Sequence, residues 1–420
     1  MMHSRTRRVV DLCLALLLGL LVLKGGTLVA AERPDIGPQL SAGKPAEAEQ
    51  ALVEYLAPGV DDDLARFQLG TVRVVRAVER LSQDGARYGT LNRTMMIPFV
   101  RVGGFAEAGR QAKPVSYDDV RQMIDRFQKE IIKAERVLTG IEDEKLEWML
   151  NLDDVRLDMN GDGEAGQRET LGTLFRMAAN RGRSEQPAQD LTVGFDSADV
   201  YWLRGYCHLL AALADMILAY DHSRLFEVTA HAFFARPQTE FAARHERPQK
   251  DANREIWDDF PDLIAAIHLM NFQRREPARL AAAQEHLLQM VDMSRKSWGL
   301  IGAETDNNRE WIPGANQQSV IAGMAMNEQR IDTWHKFLDE AEEVLRGQKL
   351  IPFWRRGFDE GVNLHNVFRE PPRDFDLILW VQGSAALPYL EHGEKTSPET
   401  WSEFQRVFRG EFIGFAAWIN

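Results

Sequence analysis

The sequence predicts a mainly α fold: a multi-helix globular bundle with long loops and one or two short strands. Three observations carry this. Apolar residues recur at three- and four-residue spacing over long windows, helix-capping signatures open two of those windows, and no fixed period marks a repeat array.

Residues 32–55 are rich in Pro, Ala and Glu and read as a flexible linker before a helical domain over 56–420. Leu64, Phe67, Leu69, Val72, Val75, Val78 and Leu81 predict a buried helix ending near Asp84-Gly85. Ser116 followed by Asp119 is an N-cap with an acid three residues on. Met123, Ile124, Phe127, Ile131, Val137 and Leu138 then give an amphipathic helix that stops at Gly140. Further helices are expected over 169–180, 198–220, 223–234, 277–297, 327–346 and 398–409. The last has Ser397 as its cap and Pro398 at the first helical position, where a missing N–H does no harm. Irregular stretches are expected at 86–115, 181–196, 235–255 and 299–318. The apolar runs 350–354 and 375–381 fit strands or buried helical turns equally well.

The N-terminus carries Arg5, Arg7 and Arg8, then an apolar run from Leu12 to Leu23, then Val29-Ala30-Ala31. That is the layout of a secretory signal peptide over 1–31, cleaved after Ala31. The run is too short to span a bilayer comfortably, so no stable membrane span is expected after cleavage. An exported protein, periplasmic or secreted, follows. The chain carries a net charge of −13, and loss of the basic leader makes it more acidic still; nucleic acid is therefore a poor partner. Only Cys207 remains after cleavage, so no internal disulfide forms.

Residues 158–169, Asp-Met-Asn-Gly-Asp-Gly-Glu-Ala-Gly-Gln-Arg-Glu, match the twelve-residue loop that wraps a calcium ion in oxygen ligands. Asp158, Asn160 and Asp162 supply side-chain oxygens at positions 1, 3 and 5. Gly163 makes the sharp turn, Glu164 offers its backbone carbonyl, Gly166 leaves a vertex for water, and Glu169 closes the site with two oxygens. Position 8 is Ala165, where paired hands carry a branched apolar residue. No second loop is found: residues 306–310 alternate oxygens but lack the glycine turn and closing Glu. A lone loop points to a structural staple rather than a sensor.

A second candidate lies on the helix at 198–220. Arg204, His208 and Asp215 fall on one narrow stripe of an otherwise apolar helix. They read either as catalytic candidates of a hydrolase-like pocket or as a satisfied polar network. The pairs His335 with Asp339 and His222 with His231 lack a third ligand at zinc spacing. Trp298, Trp311 and Trp354, in or near irregular segments, are candidates for sugar stacking, with core packing as the competing reading. The apolar run 412–419 is expected to dock into the core or on a partner.

Four stretches resemble a group of exported bacterial proteins of unassigned activity. They are 66–70 (Arg-Phe-Gln-Leu-Gly), 156–163 (Arg-Leu-Asp-Met-Asn-Gly-Asp-Gly), 201–208 (Tyr-Trp-Leu-Arg-Gly-Tyr-Cys-His) and 375–380 (Phe-Asp-Leu-Ile-Leu-Trp). That resemblance implies export but no activity. The loop at 158–169 resembles the EF-hand family, which implies a calcium ion as ligand. Read together, these features predict a binding or scaffolding protein with a calcium staple; an exported enzyme using the Arg204 seam is the alternative.

Overall fold

A computed structural model describes residues 32–90, 112–143, 145–179, 190–244, 252–321 and 325–407, without the side chains of 177–179 and 252–259. The signal peptide expected over 1–31, most of the loop expected at 86–115 and the apolar run 412–419 lie outside the described residues. Met1–Asp35 and Ile36–Asn420 form separate units.

The described chain is mainly helical, as its periodicity predicts. Two short helices, α1 (Gly37–Ser41) and α2 (Pro45–Leu56), come first. This corrects the linker reading of 32–55. Pro45 stands in the first helical turn, where it is tolerated, and Ala48 and Leu52 are fully buried beside Ile36 and Leu40. A composition of Ala, Glu, Gln and Leu is as favourable for helix as for a tether once one face finds a core.

Helix α3 (Asp63–Arg87) starts at Asp62, whose side chain accepts from the Ala65 N–H. Helix α4 (Tyr117–Leu138) starts at the Ser116/Asp119 capping box anticipated from the sequence. The two pack along each other. Where they cross, Gly70 faces the fully buried Leu138 so closely that a Cβ would overlap its Cγ and Cδ2. Gly70→Ala gains about 1 kcal/mol of helix propensity but overpacks a filled site at about 1–3 kcal/mol. We expect net destabilisation, measured as a lower urea midpoint.

Strand β1 (Glu147–Asn151) pairs antiparallel with β2 (Thr192–Asp196), Glu147 opposite Asp196. Helix α5 (Leu171–Ala179) lies between them in sequence. Strand β2 runs straight into α6 (Ser197–Leu218), because Asp196 both ends the strand and caps the helix, with Asp199 closing the capping box. Helix α6 is the most buried, wedged between α4 and α10 (Ala278–Ile301). The largest core gathers here, where Phe67, Trp202, Trp298, Trp311 and Trp334 interlock. Trp298 and Trp311 are thus core residues, as the core-packing reading expects; of that trio Trp354 alone is exposed.

The remaining elements form a second layer around α6 and α10. Strand β3 (Tyr220–Asp221), α7 (Ser223–Phe233) and α8 (Glu240–Arg244) lead to α9 (Ala252–Leu269). Helix α9 was not expected: Pro261 interrupts the window, although Phe260, Leu263, Ile264 and Ile267 repeat at helical spacing. Strand β4 (Asn271–Arg274) joins β3 to β7 (Asp374–Asp376). Helix α11 (Glu328–Leu345) packs on α10. Strands β5 (Ile351–Pro352), β6 (Gly361–Val362) and β8 (Leu390–Glu391) form a small sheet beside α12 (Leu364–Arg369), α13 (Leu377–Gln382) and the 3-10 helix Ser384–Tyr389. The two ambiguous apolar runs therefore divide: 350–354 yields a short strand, and 375–381 a strand end followed by a helix. Helix α14 (Pro398–Val407) starts at Ser397, whose Oγ accepts from the Thr400 N–H.

Candidate metal centre

The loop at 158–169 is positioned from both ends and from beneath. Its ends are tied where the Leu157 N–H donates to the Glu169 carbonyl at 2.8 Å and the Leu171 N–H to the Val155 carbonyl at 2.9 Å. Val155, Leu157 and Met159 point down into a core shared with Leu40, Leu52 and Leu69. From α3, Gln83 donates to the Asp158 carbonyl at 2.8 Å and Glu79 accepts the Asp158 N–H at 2.9 Å. Burial, together with the charge of Asp158, raises the Glu79 carboxyl above its ordinary value.

Within the loop Asp158 and Glu169 are held by backbone N–H groups, while Asp162 is exposed. Asp158 accepts from Gly161 N–H (2.7 Å) and Gly163 N–H (3.0 Å), and Glu169 from Gly166 N–H (2.7 Å) and Met159 N–H (3.2 Å). Asn160 and Asp162 each accept an N–H two residues on, at 2.7 and 2.9 Å. Gly161 and Gly163 hold φ of 75° and 92°, the left-handed region that a side chain resists. At Gly166 a Cβ would lie 2.8 Å from Glu169 Oε2, so the glycine lets that carboxylate approach the backbone closely. Oxygen donors of this kind are the ligand type that calcium takes, although Asp158, Asp162 and Glu169 do not all come within 4.8 Å of one another as the chain stands. The small residue at position 8 has its own explanation: Ala165 abuts Gly43 in the turn between α1 and α2, and a Cβ at Gly43 would overlap the Ala165 Cβ.

A tighter acidic group escaped the sequence reading. Among the described residues, one set of three carboxylates has oxygens within 4.8 Å of one another: Asp196, Glu304 and Glu310. Asp196 comes from the end of β2, and the other two from the loop after α10. Glu310 accepts from the Asn308 N–H, and Gln317 donates to Glu304 at 3.0 Å. Burial pushes Glu304 up to about 7, aided by the charges of Asp196 and Glu310, and also raises Asp196 and Glu310. Asp199, fully enclosed beneath them, is raised well above the carboxylate range by burial and then by Asp196. The arrangement suits a proton shared between Asp196 and Glu304. The one sequence signal was the row of oxygens at 306–310; its partner lies on a distant strand.

The seam on α6 meets side chains from both neighbouring helices. Arg204 Nε donates to Glu135 of α4 at 3.1 Å, and His208 Nε2 lies 3.5 Å from the same carboxylate. His208 Nδ1 lies 2.9 Å from His286 Nδ1 of α10, so one ring must donate and the other accept. Burial and then the neighbouring His208 lower His286. Burial opposes the charge on Glu135, yet the hydrogen bond from His208 and the charge of Arg204 hold it down at about 2. Asp215, 2% exposed, pairs with Arg279 at 2.8 Å. The three seam residues are not gathered on one ligand space: Arg204 and His208 share Glu135, and Asp215 belongs to Arg279. Of the histidine pairs weighed for zinc, His231 binds Asp262 at 2.9 Å, His222 stacks on Phe272, and Asp339 is taken by Arg295.

No protein-family model matches this sequence, and comparisons with curated proteins and with solved structures return no match.

Proposed function

We propose that residues 158–169 hold one calcium ion as a structural staple, in an exported protein, periplasmic or secreted, whose role is binding or scaffolding. The observation that carries this reading is the closure of Glu169 over Gly166, with Asp158 drawn inward by Gly161 and Gly163. Asp158, Asn160, Asp162 and Glu169 would hold the ion by their side chains and Glu164 by its carbonyl. A cation there would offset the repulsion between Asp158 and the buried Glu79. Because the loop sits on the turn between α1 and α2 and on α3, the ion would brace three elements that no disulfide joins. The alternative, a hydrolase-like site at Arg204, His208 and Asp215, needs an open cleft where these side chains instead meet Glu135, His286 and Arg279.

Melting curves in calcium and in EDTA test the proposal. Calcium at tenfold over a dissociation constant of roughly 10⁻⁴ to 10⁻³ M adds about 1.4 kcal/mol, a rise of about 2 °C for a unit of this size. Glu169→Gln should abolish the calcium response, and Glu310→Gln should leave it intact. The reverse pattern would place the ion at the Asp196 group and sink the reading; so would melting that ignores calcium altogether.

A further inference from the structure

Most of the exposed large apolar side chains of the described residues fall on one face. Helix α9 turns Phe260, Leu263, Ile264 and Ile267 outward, each between 43% and 56% exposed. Helix α13, packed beside it, adds Ile378, Leu379 and Val381, the last 69% exposed. Two adjoining clefts of about 500 and 650 Å³ share Trp354, Arg355 and Gln382. They carry the face from Ile267 to Phe358 and Leu387. Contiguous apolar surface on this scale marks a site of contact.

We propose that this face docks the protein on a lipid bilayer with anionic headgroups. Three of the last four backbone carbonyls of α13 are already satisfied, which suits an apolar medium. A helix end normally leaves these groups open, and a protein interface uses such groups as handles. Here Leu379 accepts from the Gly383 N–H at 2.8 Å, Val381 from Trp354 Nε1 at 3.0 Å and Gln382 from Arg355 Nε at 2.6 Å. The same bonds satisfy the indole N–H of Trp354. The face therefore enters hydrocarbon without stranding these polar groups, the condition a bilayer imposes and a wet interface does not.

Charge identifies the headgroups. The chain has a net charge of −13, yet Arg355 and Arg356 stand together in the larger cleft of this face. Neither makes an ion pair with an acid among the described residues. A long guanidinium stem lies along apolar surface while its head reaches phosphate, the arrangement of a peripheral membrane protein. No described helix is long and apolar enough to cross a membrane, so the contact is with the surface of the bilayer.

Flotation of the full chain with phosphatidylcholine vesicles, with and without phosphatidylglycerol, tests the assignment. We expect flotation with the anionic vesicles. Arg356→Gln should weaken it about fivefold, and Val381→Asp or Ile264→Asp about tenfold or more. All three sites are exposed, so unchanged melting temperatures should confirm folding. Failure to float with either vesicle, or equal flotation of wild type and variants, overturns the proposal. A dimer in sedimentation that Val381→Asp dissolves, without flotation, would give the face to a second copy and overturn it as well.

Discussion

Arg279→Met will cost about 3–5 kcal/mol of folding stability, about 4–6 °C in melting temperature, and Asp215→Leu in the same chain will return most of it. Arg279 joins three helices from one guanidinium. It donates to Asp215 on α6 at 2.8 Å, to Asp125 and Gln128 on α4 at 2.8 and 3.0 Å, and to Glu276 just before α10 at 2.6 Å. The four acceptors do not depend on it equally. Asp125 keeps Lys129 and Glu276 keeps Arg121, and both are partly solvated. Asp215 is 3% exposed in its side chain, and its other basic neighbour is His286, 3.9 Å away, whose charged form burial disfavours. Loss of Arg279 therefore strands one buried charge, and that desolvation dominates the cost. Removing both partners removes the stranded charge, which is why the double variant recovers. Urea denaturation of both single variants and the double variant measures the coupling directly. A loss below about 1 kcal/mol for Arg279→Met would mean that water reaches Asp215 and that the seam does not hold α6 in place.

The second large effect runs against the usual pH dependence. Stability should fall as pH rises from the ordinary carboxylate range to about 7, through the Asp196, Glu304 and Glu310 group. Glu304 is pushed up to about 7 in the folded protein, chiefly by burial. A carboxyl with a raised folded value binds its proton more tightly folded than unfolded. Its contribution is complete below the unfolded carboxylate range and is lost as pH climbs through about 7. Glu304 is about half solvated, so the full linkage of its shift shrinks to about 1 kcal/mol. Glu304→Gln should match wild type near pH 5 and exceed it by about that amount at pH 8 in urea titrations. Indistinguishable pH profiles for the two would refute the shared proton. Glu135 acts with the opposite sign: held at about 2, it contributes above the ordinary carboxylate range and loses that contribution as pH falls toward 2. A stability maximum on the acid side of neutrality should result.

The helices that bury one regular stripe were legible. The stripe of α3, the capping box of α4 and the apolar bulk of α6 each follow from residues close in sequence. The proposed calcium loop could be read for the same reason, since all its candidate donors lie within twelve residues. What escaped depends on distance along the chain or on burial. Asp196 and Glu310 meet only because β2 runs beside the loop after α10, where the Gly194 N–H donates to the Arg309 carbonyl. The seam on α6 was visible as a stripe, but its partners Glu135 and Arg279 come from other helices. Helix α9 was hidden for another reason. Its apolar stripe faces solvent, and Pro261 breaks the local preference that would have announced it.

The turn between α1 and α2 has a consequence for the order of assembly. Helix α2 finds a partner soon after synthesis, because Glu49 reaches Arg73 and Arg76 on the helix that follows. Helix α1 and its turn must wait. The Leu40 carbonyl accepts from Arg156 and Gly43 lies against Ala165, about 120 residues further on. A chain emerging residue by residue carries Leu40 without its final cover until the loop segment arrives. The native N-terminal region is thus sealed late. In an exported chain, that delay would leave the leading segment free of a locked tertiary structure until the residues that complete it have followed.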